Sequence, residues 1–442
     1  MKSITLFGLL FLNCFRLVLS QELEVGVVVD SVKCANDASQ SYAAYIPSSY
    51  SSGQEWPIVY IFEPAARGSL PVNKYSQIAE ELGFILVCSN NSKNGSWDIG
   101  LAAADAVFLD TQQRLKIDKN LVFTSGFSGG SRLALSIAVI TKQIRGVIGV
   151  AAAQPPVDSY QMSKYSDFLY AGLVGNRDMN YQEHKQFSKT LDVWGIANIL
   201  IVSELDHQWA PPEDFRIAML WMLTRSGISI EDKLNKSLNE KLNGLSDSVS
   251  IVDKIRMEGY LDAYGSSQSS TEPGKKQLKI EEKIFRKEIK LRLQLRDSLN
   301  AAIDNYSNSV SRNWIMNSIE QYKKRINKTS DINLFLMYHR VLDYIRAISI
   351  ETGFRLLNAK EYDQAKLCIE IWSVYLSNPR IKHWWWAKIA AMKEDYQECI
   401  SQLELLAETS FNDWERLQNE KVFDLVRSDA KYQEILSKIK SN

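Results

Sequence analysis

The sequence predicts an α/β fold with a mostly parallel central sheet, followed by an all-α region. Three observations lead to this prediction. Short apolar β-forming runs alternate with helical segments as far as about residue 225. Residues 121–135 have the pattern of a strand, a sharp glycine-containing turn and a helix. Beyond Arg225 the β-forming runs vanish, and Leu and Ile recur at helical spacing among charges of both signs. Alternation of strands and helices favours a parallel sheet covered by helices on both faces.

Eight β-forming runs account for the predicted sheet. The first two, residues 22–30 and 41–47, are predicted to form an antiparallel opening pair because their β-formers alternate or cluster. Continuous apolar runs are typical of strands buried on both faces. Such runs lie at residues 57–62, 84–88, 121–124, 146–151, 168–173 and 198–202. Helices are predicted at residues 75–82, 101–115, from 132 onward and at 215–223.

Length and composition limit the function classes. A chain of 442 residues suggests two or three domains, and a hydrophobic fraction of 45% is ordinary for a globular protein. Lys plus Arg equals Asp plus Glu, at 52 each. This balance gives no indication of a nucleic-acid partner.

Residues 1–20 have the pattern of a signal peptide. Lys2 supplies a positive charge, and a short apolar core follows before small or modest residues that end at Ser20. The protein is therefore expected to be secreted or periplasmic, with no integral membrane span after signal removal; an uncleaved N-terminal anchor is the alternative. In an exported protein Cys34 and Cys88 can form a disulfide, but buried free thiols are the favoured state.

The turn at residues 126–130 reads Gly-Phe-Ser-Gly-Gly and matches the G-x-S-x-G nucleophile elbow. In this motif a strained turn between a strand and a helix exposes a serine, here Ser128, and flanking glycines avoid collisions. The following helix directs its free N–H groups and its positive dipole end at the site. Gly129 N–H is therefore the predicted first oxyanion donor.

An acid and a base are predicted in the loops after the last two strands. Asp178 follows the strand at 168–173, and His207 follows the strand at 198–202. The chain order Ser, Asp, His is that of a hydrolase triad on this kind of sheet, in which His207 would take the Ser128 proton and Asp178 would orient the imidazole. Asp206 and Asp158 are rival acids. The cysteines are widely spaced, with no C-x-x-C pair, so no zinc or redox motif is found.

The second oxyanion donor is expected from the loop after residues 57–62. Pro64 has no N–H, so the donor would be Ala65 or Ala66, of which Ala65 is taken as the candidate. Trp209, close to His207, is the candidate substrate-binding residue. Hydrophobic packing of its own loop is an equal alternative for Trp209.

About the first 225 residues resemble the α/β-hydrolase superfamily, and in particular the compact secreted esterases similar to feruloyl esterases and polyhydroxybutyrate depolymerases. The resemblance is carried by residues 43–47, 126–130, 175–178 and 207–211. It implies a serine hydrolase that acts on esters without a cofactor. Residues 62–65, Phe-Glu-Pro-Ala, depart from the His-Gly pair of those families.

The second half is predicted to be helical. Residues 226–330 form a helical linker region with a flexible break near 265–274, which is rich in Gly and Ser, and a long helix is expected from Lys275 to Asn305. Residues 331–442 resemble tetratricopeptide repeats, because Tyr362 and Tyr396 recur at the 34-residue period of those repeats. This region would either bind a protein partner or serve for packing.

Three functions follow from this sequence. The leading prediction is an exported carboxylic ester hydrolase, with a catalytic domain at 21–225, that forms an acyl-enzyme on a small-molecule or polymeric ester. The alternatives are a serine peptidase of the same fold and a non-catalytic hydrolase-fold protein that acts as a binding or scaffold module through its helical repeats.

Overall fold

The structure is a computed structural model, and it describes residues 23–246, 248–258, 260, 272–305 and 309–441. Its central feature is one eight-stranded sheet with the strand order β1-β2-β4-β3-β5-β6-β7-β8. The strands are β1 (Val28–Lys33), β2 (Ser41–Tyr45), β3 (Trp56–Phe62), β4 (Ile85–Ser89), β5 (Ile117–Phe127), β6 (Gly146–Val150), β7 (Leu169–Gly175) and β8 (Asn198–Ser203). The first five helices are α1 (Ser69–Leu82), α2 (Trp97–Arg114), α3 (Gly129–Thr141), α4 (Tyr181–Trp194) and α5 (Pro212–Arg225).

The sheet is antiparallel at its first edge and parallel through its centre. β2 pairs antiparallel with both β1 and β4, whereas β3 pairs parallel with β4 and β5, and β5 pairs parallel with β6. The central strands β3, β4 and β6 are almost entirely buried, and so is β5 from Leu121 to Gly126, as the continuous apolar runs predict. This arrangement confirms the predicted α/β fold with a mostly parallel central sheet.

The predicted first strand is wrong in its bounds. The prediction was residues 22–30, whereas β1 is Val28–Lys33. Gly26 has a φ of +75°, a left-handed conformation that a regular strand does not use. Val25 makes only an isolated bridge to Ile46, and its side chain is 46% exposed. The alternating valines therefore do not mark a buried strand face.

The remaining helices carry the second half of the chain, as predicted. They are α6 (Glu231–Asn243), α7 (Ile251–Glu258), α8 (Glu272–Asp304), α9 (Ser309–Lys328), α10 (Ile332–Asn358), α11 (Tyr362–Leu376), α12 (Pro379–Met392), α13 (Tyr396–Ala407), α14 (Trp414–Asn419) and α15 (Ala430–Ser441). α8 corresponds to the predicted long helix. Most of the predicted flexible break at 265–274 lies outside the described residues.

Two apolar clusters hold this helical region together. One joins α8, α9, α10 and α11 through residues such as Leu299, Ile319, Val341 and Cys368. The other includes Trp384, Leu403 and Tyr432 and joins α12, α13 and α15. The tetratricopeptide-like character of residues 331–442 stays a prediction.

The chain divides into two compact units. Of the described residues, those within 23–172, 190–199 and 211–234 form the first unit, and those within 173–189, 200–210 and 235–441 form the second. The last residues of β7 and β8 and the loops that follow them thus belong to the second unit. The domain bounds predicted from the sequence stay predictions.

Three other sequence predictions concern the cellular location of the protein and the state of its cysteines. The predicted signal peptide, residues 1–20, lies outside the described residues. Within the described part of the chain, no helix is both long enough and apolar enough to cross a membrane. Cys34, Cys88, Cys368 and Cys399 are buried free thiols, and burial raises the pKa of Cys34 to about 11.

Candidate active site

Ser128 lies on a strained turn between β5 and α3. Its φ is +54° and its ψ is −119°, a conformation that a residue with a side chain rarely adopts. The Ser128 N–H donates to Val150 O at 2.9 Å, and Ser128 O accepts from Ser131 N at 3.0 Å. These bonds fix the turn from both sides. The serine is only partly buried, as a nucleophile elbow requires.

The two outer glycines of the motif are required by close main-chain contacts. A Cβ at Gly126 would lie 2.2 Å from Gly130 O, and a Cβ at Gly130 would lie 1.9 Å from Phe62 O. Both distances are far below van der Waals contact. The turn therefore folds tightly on itself and against the end of β3.

The loop after β3 is organised by the buried carboxylate of Glu63. One carboxylate oxygen, Oε2, accepts from Ala65 N at 2.6 Å and from Arg67 N at 3.1 Å, and Oε1 accepts from Arg67 Nε at 3.1 Å. The Ala65 N–H, the predicted second oxyanion donor, is thus already hydrogen-bonded within its own loop. A substrate oxygen would have to compete with a carboxylate for it.

A side chain that sequence reasoning missed lies beside the first predicted oxyanion donor. Asn94 Oδ1 is 1.9 Å from the position that a Cβ on Gly129 would occupy, so a side chain at residue 129 would displace the Asn94 amide. Asn94 is placed by its own N–H, which donates to Pro64 O at 2.8 Å, and by the bridge between Lys93 and Ala65. Its amide is exposed. No local motif signals it, because the contact joins loops that are distant in sequence.

Asp178 and His207 form a hydrogen-bonded pair in the second unit. His207 Nδ1 lies 3.0 Å from Asp178 Oδ2. The Asp178 side chain is fully buried and that of His207 is 10% exposed. Asp178 also accepts from Asn180 N at 2.7 Å. A carboxylate held at Nδ1 fixes the imidazole tautomer in which Nε2 can accept a proton.

The loops after β7 and β8 are joined closely at their start. A Cβ at Gly175 would lie 2.1 Å from Leu205 O, and Asn176 N donates to Ser203 O at 2.8 Å. Arg177 N donates to Leu205 O at 3.1 Å. These main-chain contacts place the segments that carry Asp178 and His207 side by side.

The rival acids have other surroundings. Asp206 pairs with Arg177 at 2.9 Å, and its side chain is 62% exposed. Asp158 is exposed in a short 3-10 helix, Asp158–Tyr160. Among the described residues, Asp178 is the carboxylate that bonds to His207. Trp209 is half-buried, which fits either interpretation of that residue.

The electrostatics of the pair favour a charged imidazole. Burial raises the pKa of the Asp178 carboxyl, against the opposing influence of His207. Burial lowers the pKa of His207, but the charge of Asp178 and its hydrogen bond more than offset that effect, so the net shift is upward. A buried carboxylate beside the ring thus stabilises the imidazolium form of His207.

A second carboxylate, Asp343 on α10, lies near this pair and was also missed by sequence reasoning. One ligand atom each of Asp178, His207 and Asp343 lie within 4.8 Å of one another. Three such residues could hold a metal ion, but their atoms already have partners. Asp178 bonds to His207 directly, and Asp343 accepts from Met179 N at 3.1 Å and from Arg346 Nε at 2.9 Å.

Comparisons with known proteins give limited likenesses. No protein-family model matches the sequence, and no curated protein matches it. Among solved structures, an S-formylglutathione hydrolase from Agrobacterium tumefaciens is 15% identical with a TM-score of 0.38, covering 45% of this chain and 95% of that chain. A ferulic acid esterase is 13% identical with a TM-score of 0.35, covering 45% and 97%. An S-formylglutathione hydrolase from Staphylococcus aureus is 12% identical with a TM-score of 0.35, covering 42% and 90%.

Proposed function

We propose that the protein is a serine hydrolase that cleaves carboxylic esters through an acyl-enzyme formed on Ser128. The observation that carries the proposal is the Asp178–His207 pair, 3.0 Å apart and buried, in a chain that also holds a serine on a strained elbow. Each of the three residues follows a strand of the same sheet. Their order, Ser, Asp, His, is that of hydrolases with this sheet.

In the proposed reaction His207 Nε2 accepts the Ser128 hydroxyl proton as Oγ attacks the ester carbonyl. Asp178 keeps the proton of Nδ1 in place and stabilises the imidazolium. The imidazolium then protonates the departing alcohol, which leaves the acyl group on Ser128 Oγ. Water attacks the acyl-enzyme with His207 again as the base, the acyl–Oγ bond breaks, the carboxylic acid is released and the imidazolium returns the proton to Ser128. The N–H of Gly129, at the first residue of α3, is the proposed first donor to the oxyanion.

The second oxyanion donor is proposed to be either Ala65 N–H or the amide of Asn94. Ala65 N–H is 2.6 Å from the Glu63 carboxylate, which weakens its case. The Asn94 amide lies against Gly129 and carries two N–H donors that a substrate oxygen could accept from. We propose a small-molecule or polymeric ester as substrate and no cofactor.

The test is hydrolysis of p-nitrophenyl acetate and butyrate by the full chain beside Ser128→Ala, with Ser52→Ala as the control because Ser52 is an exposed serine away from the motif. We expect Ser128→Ala to lose about 10⁴-fold or more in kcat and Ser52→Ala to retain it. Peptide p-nitroanilides in the same assay test the peptidase alternative. Equal rates in wild type and Ser128→Ala would contradict the proposal.

The engaged Ala65 N–H is the one observation that favours the alternative of a non-catalytic binding module. That function predicts a folded protein that hydrolyses neither esters nor amides through Ser128. Its partner would then bind the helical region. The same pair of variants separates the two functions, since a binding module has no rate for Ser128→Ala to abolish.

A further inference from the structure

α10 carries two buried charged residues that hold the loop around Asp178. Arg340 Nη1 donates to Asn176 O at 2.9 Å, and Asp343 Oδ2 accepts from Met179 N at 3.1 Å. Residues three apart on a helix share one face. The two bonds reach the main chain on either side of Asp178, so a helix from the C-terminal region fixes the acid's loop.

Neither of these charges is isolated. Arg340 is paired with Glu288 of α8, with Arg340 Nη2 2.8 Å from Glu288 Oε2 and both side chains almost fully buried. Asp343 is 4% exposed and accepts from Arg346 Nε at 2.9 Å. A buried charge is tolerated only when it is paired and hydrogen-bonded. The ion pairs and hydrogen bonds with Glu288 and Arg346 therefore offset the cost of burying these charges.

We propose that Asp343 is a positioning residue for the Asp178–His207 pair, so that the helical C-terminal region supplies part of the catalytic machinery. The inference rests on the proposed serine hydrolase function. Asp343 holds Met179 N–H, which fixes the loop of Asp178, and its carboxylate lies within 4.8 Å of a His207 nitrogen. It thus adds a second negative charge beside the imidazolium.

The charged groups around His207 determine the direction in which each substitution should shift the pH profile of kcat/KM. Asp178 and Asp343 raise the pKa of His207, and Arg346 lowers it. The Arg177–Asp206 ion pair lies on the loops that carry Asp178 and His207. His339 lies on α10. Because the base must be neutral, kcat/KM should rise with pH through the His207 pKa. The rise of kcat/KM with pH is the acid limb of the profile. Removing the Asp343 charge should therefore move this acid limb to lower pH, and removing the Arg346 charge should move it to higher pH.

The experiment measures kcat, KM and the pH profile of kcat/KM for the full chain with p-nitrophenyl butyrate. For Asp343→Asn we expect a tenfold to hundredfold lower kcat, a KM within about twofold, and an acid limb lower by about 0.5 to 2 pH units. For Arg346→Gln we expect the limb to move to higher pH. Asp343→Glu should recover part of the lost kcat because it restores the carboxylate.

The control is Asp331→Ala, which removes the N-cap of the same helix, where Asp331 Oδ1 accepts from Asn333 N at 2.9 Å. It weakens α10 without touching the pair, so kcat and the acid limb should stay unchanged. An Asp343→Asn enzyme with the wild-type pH profile would overturn the inference. An Arg346→Gln enzyme whose acid limb is unchanged or lies at lower pH than in the wild type would also overturn it. Activity abolished by a chelator and restored by Zn²⁺ would also overturn it.

Failure of this inference is distinguishable from failure of the proposed function. If wild type hydrolyses the ester and Ser128→Ala does not, the proposed function stands, and an unchanged pH profile for Asp343→Asn overturns the positioning role alone. If Ser128→Ala retains the rate, the proposed function fails first, and this inference fails with it.

Discussion

Replacing Gly130 by alanine tests how tightly the nucleophile elbow is packed against β3. Gly130 is the second residue of α3, where helix propensity alone would predict that alanine stabilises by up to about 1 kcal/mol. The structure predicts the opposite sign. An added Cβ would lie 1.9 Å from Phe62 O and 2.7 Å from Phe62 C, both of which are main-chain atoms.

The size of the effect follows from that distance. A carbon and a carbonyl oxygen approach to about 3.3 Å at closest, so either the elbow or the end of β3 must move by more than 1 Å. Phe62 is paired with Gly126 in the sheet, which resists that movement. Overpacking of this kind typically costs about 1–3 kcal/mol, and two main-chain partners place Gly130→Ala at the upper end. A 3 kcal/mol loss lowers the melting temperature by about 6–12 °C for a domain of this size.

The assay is thermal unfolding followed by circular dichroism, together with kcat for p-nitrophenyl butyrate. The matched control is Gly53→Ala, because the nearest atom to a Cβ at Gly53 is Ser51 Oγ at 3.8 Å. We expect Gly53→Ala to melt within about 1 °C of wild type and Gly130→Ala to melt well below it with a reduced kcat. A Gly130→Ala protein that melts with or above Gly53→Ala would refute the reasoning.

Three further predictions concern the charged groups. Glu63→Gln should destabilise the loop after β3 by about 1–3 kcal/mol, seen as a lower melting temperature, because an amide cannot accept all the hydrogen bonds that the carboxylate accepts. Glu288→Gln should cost about 3–5 kcal/mol in urea unfolding because it leaves a buried arginine unpaired, whereas Glu288→Leu combined with Arg340→Met should cost less; equal losses would contradict the ion-pair account. In an NMR titration the ring of His207 should titrate above its ordinary pKa, and Asp178→Asn should bring that pKa down; an unchanged value would show that Asp178 does not act on the ring. Because the folded-state pKa of His207 is raised, the stabilisation that its positive charge gains from ionised Asp178 is present at pH values below the ordinary pKa of the ring, and it is lost as the pH rises through the raised value.

The fold and half of the candidate site could be predicted from the sequence because local patterns carry them. The elbow at Ser128 is a contiguous motif, and the continuous apolar runs of the central strands mark their burial directly. Asp178 and His207 were predicted because each follows such a run in the expected order. These inferences need only short stretches of chain.

The remaining parts depend on contacts between distant residues, which one sequence does not reveal. Asp343 reaches Met179 across 164 positions, and nothing near either residue signals the contact. The Glu63 carboxylate takes up Ala65 N–H through a side-chain conformation that residue spacing does not determine. The predicted bounds of β1 were wrong because the alternating valines favour a strand from residue 22. Gly26 has a left-handed conformation, and the strand begins after it, at Val28.

Covalent labelling of Ser128 tests the central claim most directly. A fluorophosphonate probe would be incubated with the wild type and with His207→Ala, and the adduct would be located by intact-mass measurement followed by peptide mapping. We expect one adduct on Ser128 in the wild type and labelling slowed by at least about a hundredfold in His207→Ala, because the imidazole activates the serine. Folded wild-type protein that takes up no probe, or an adduct on another residue, would contradict the account.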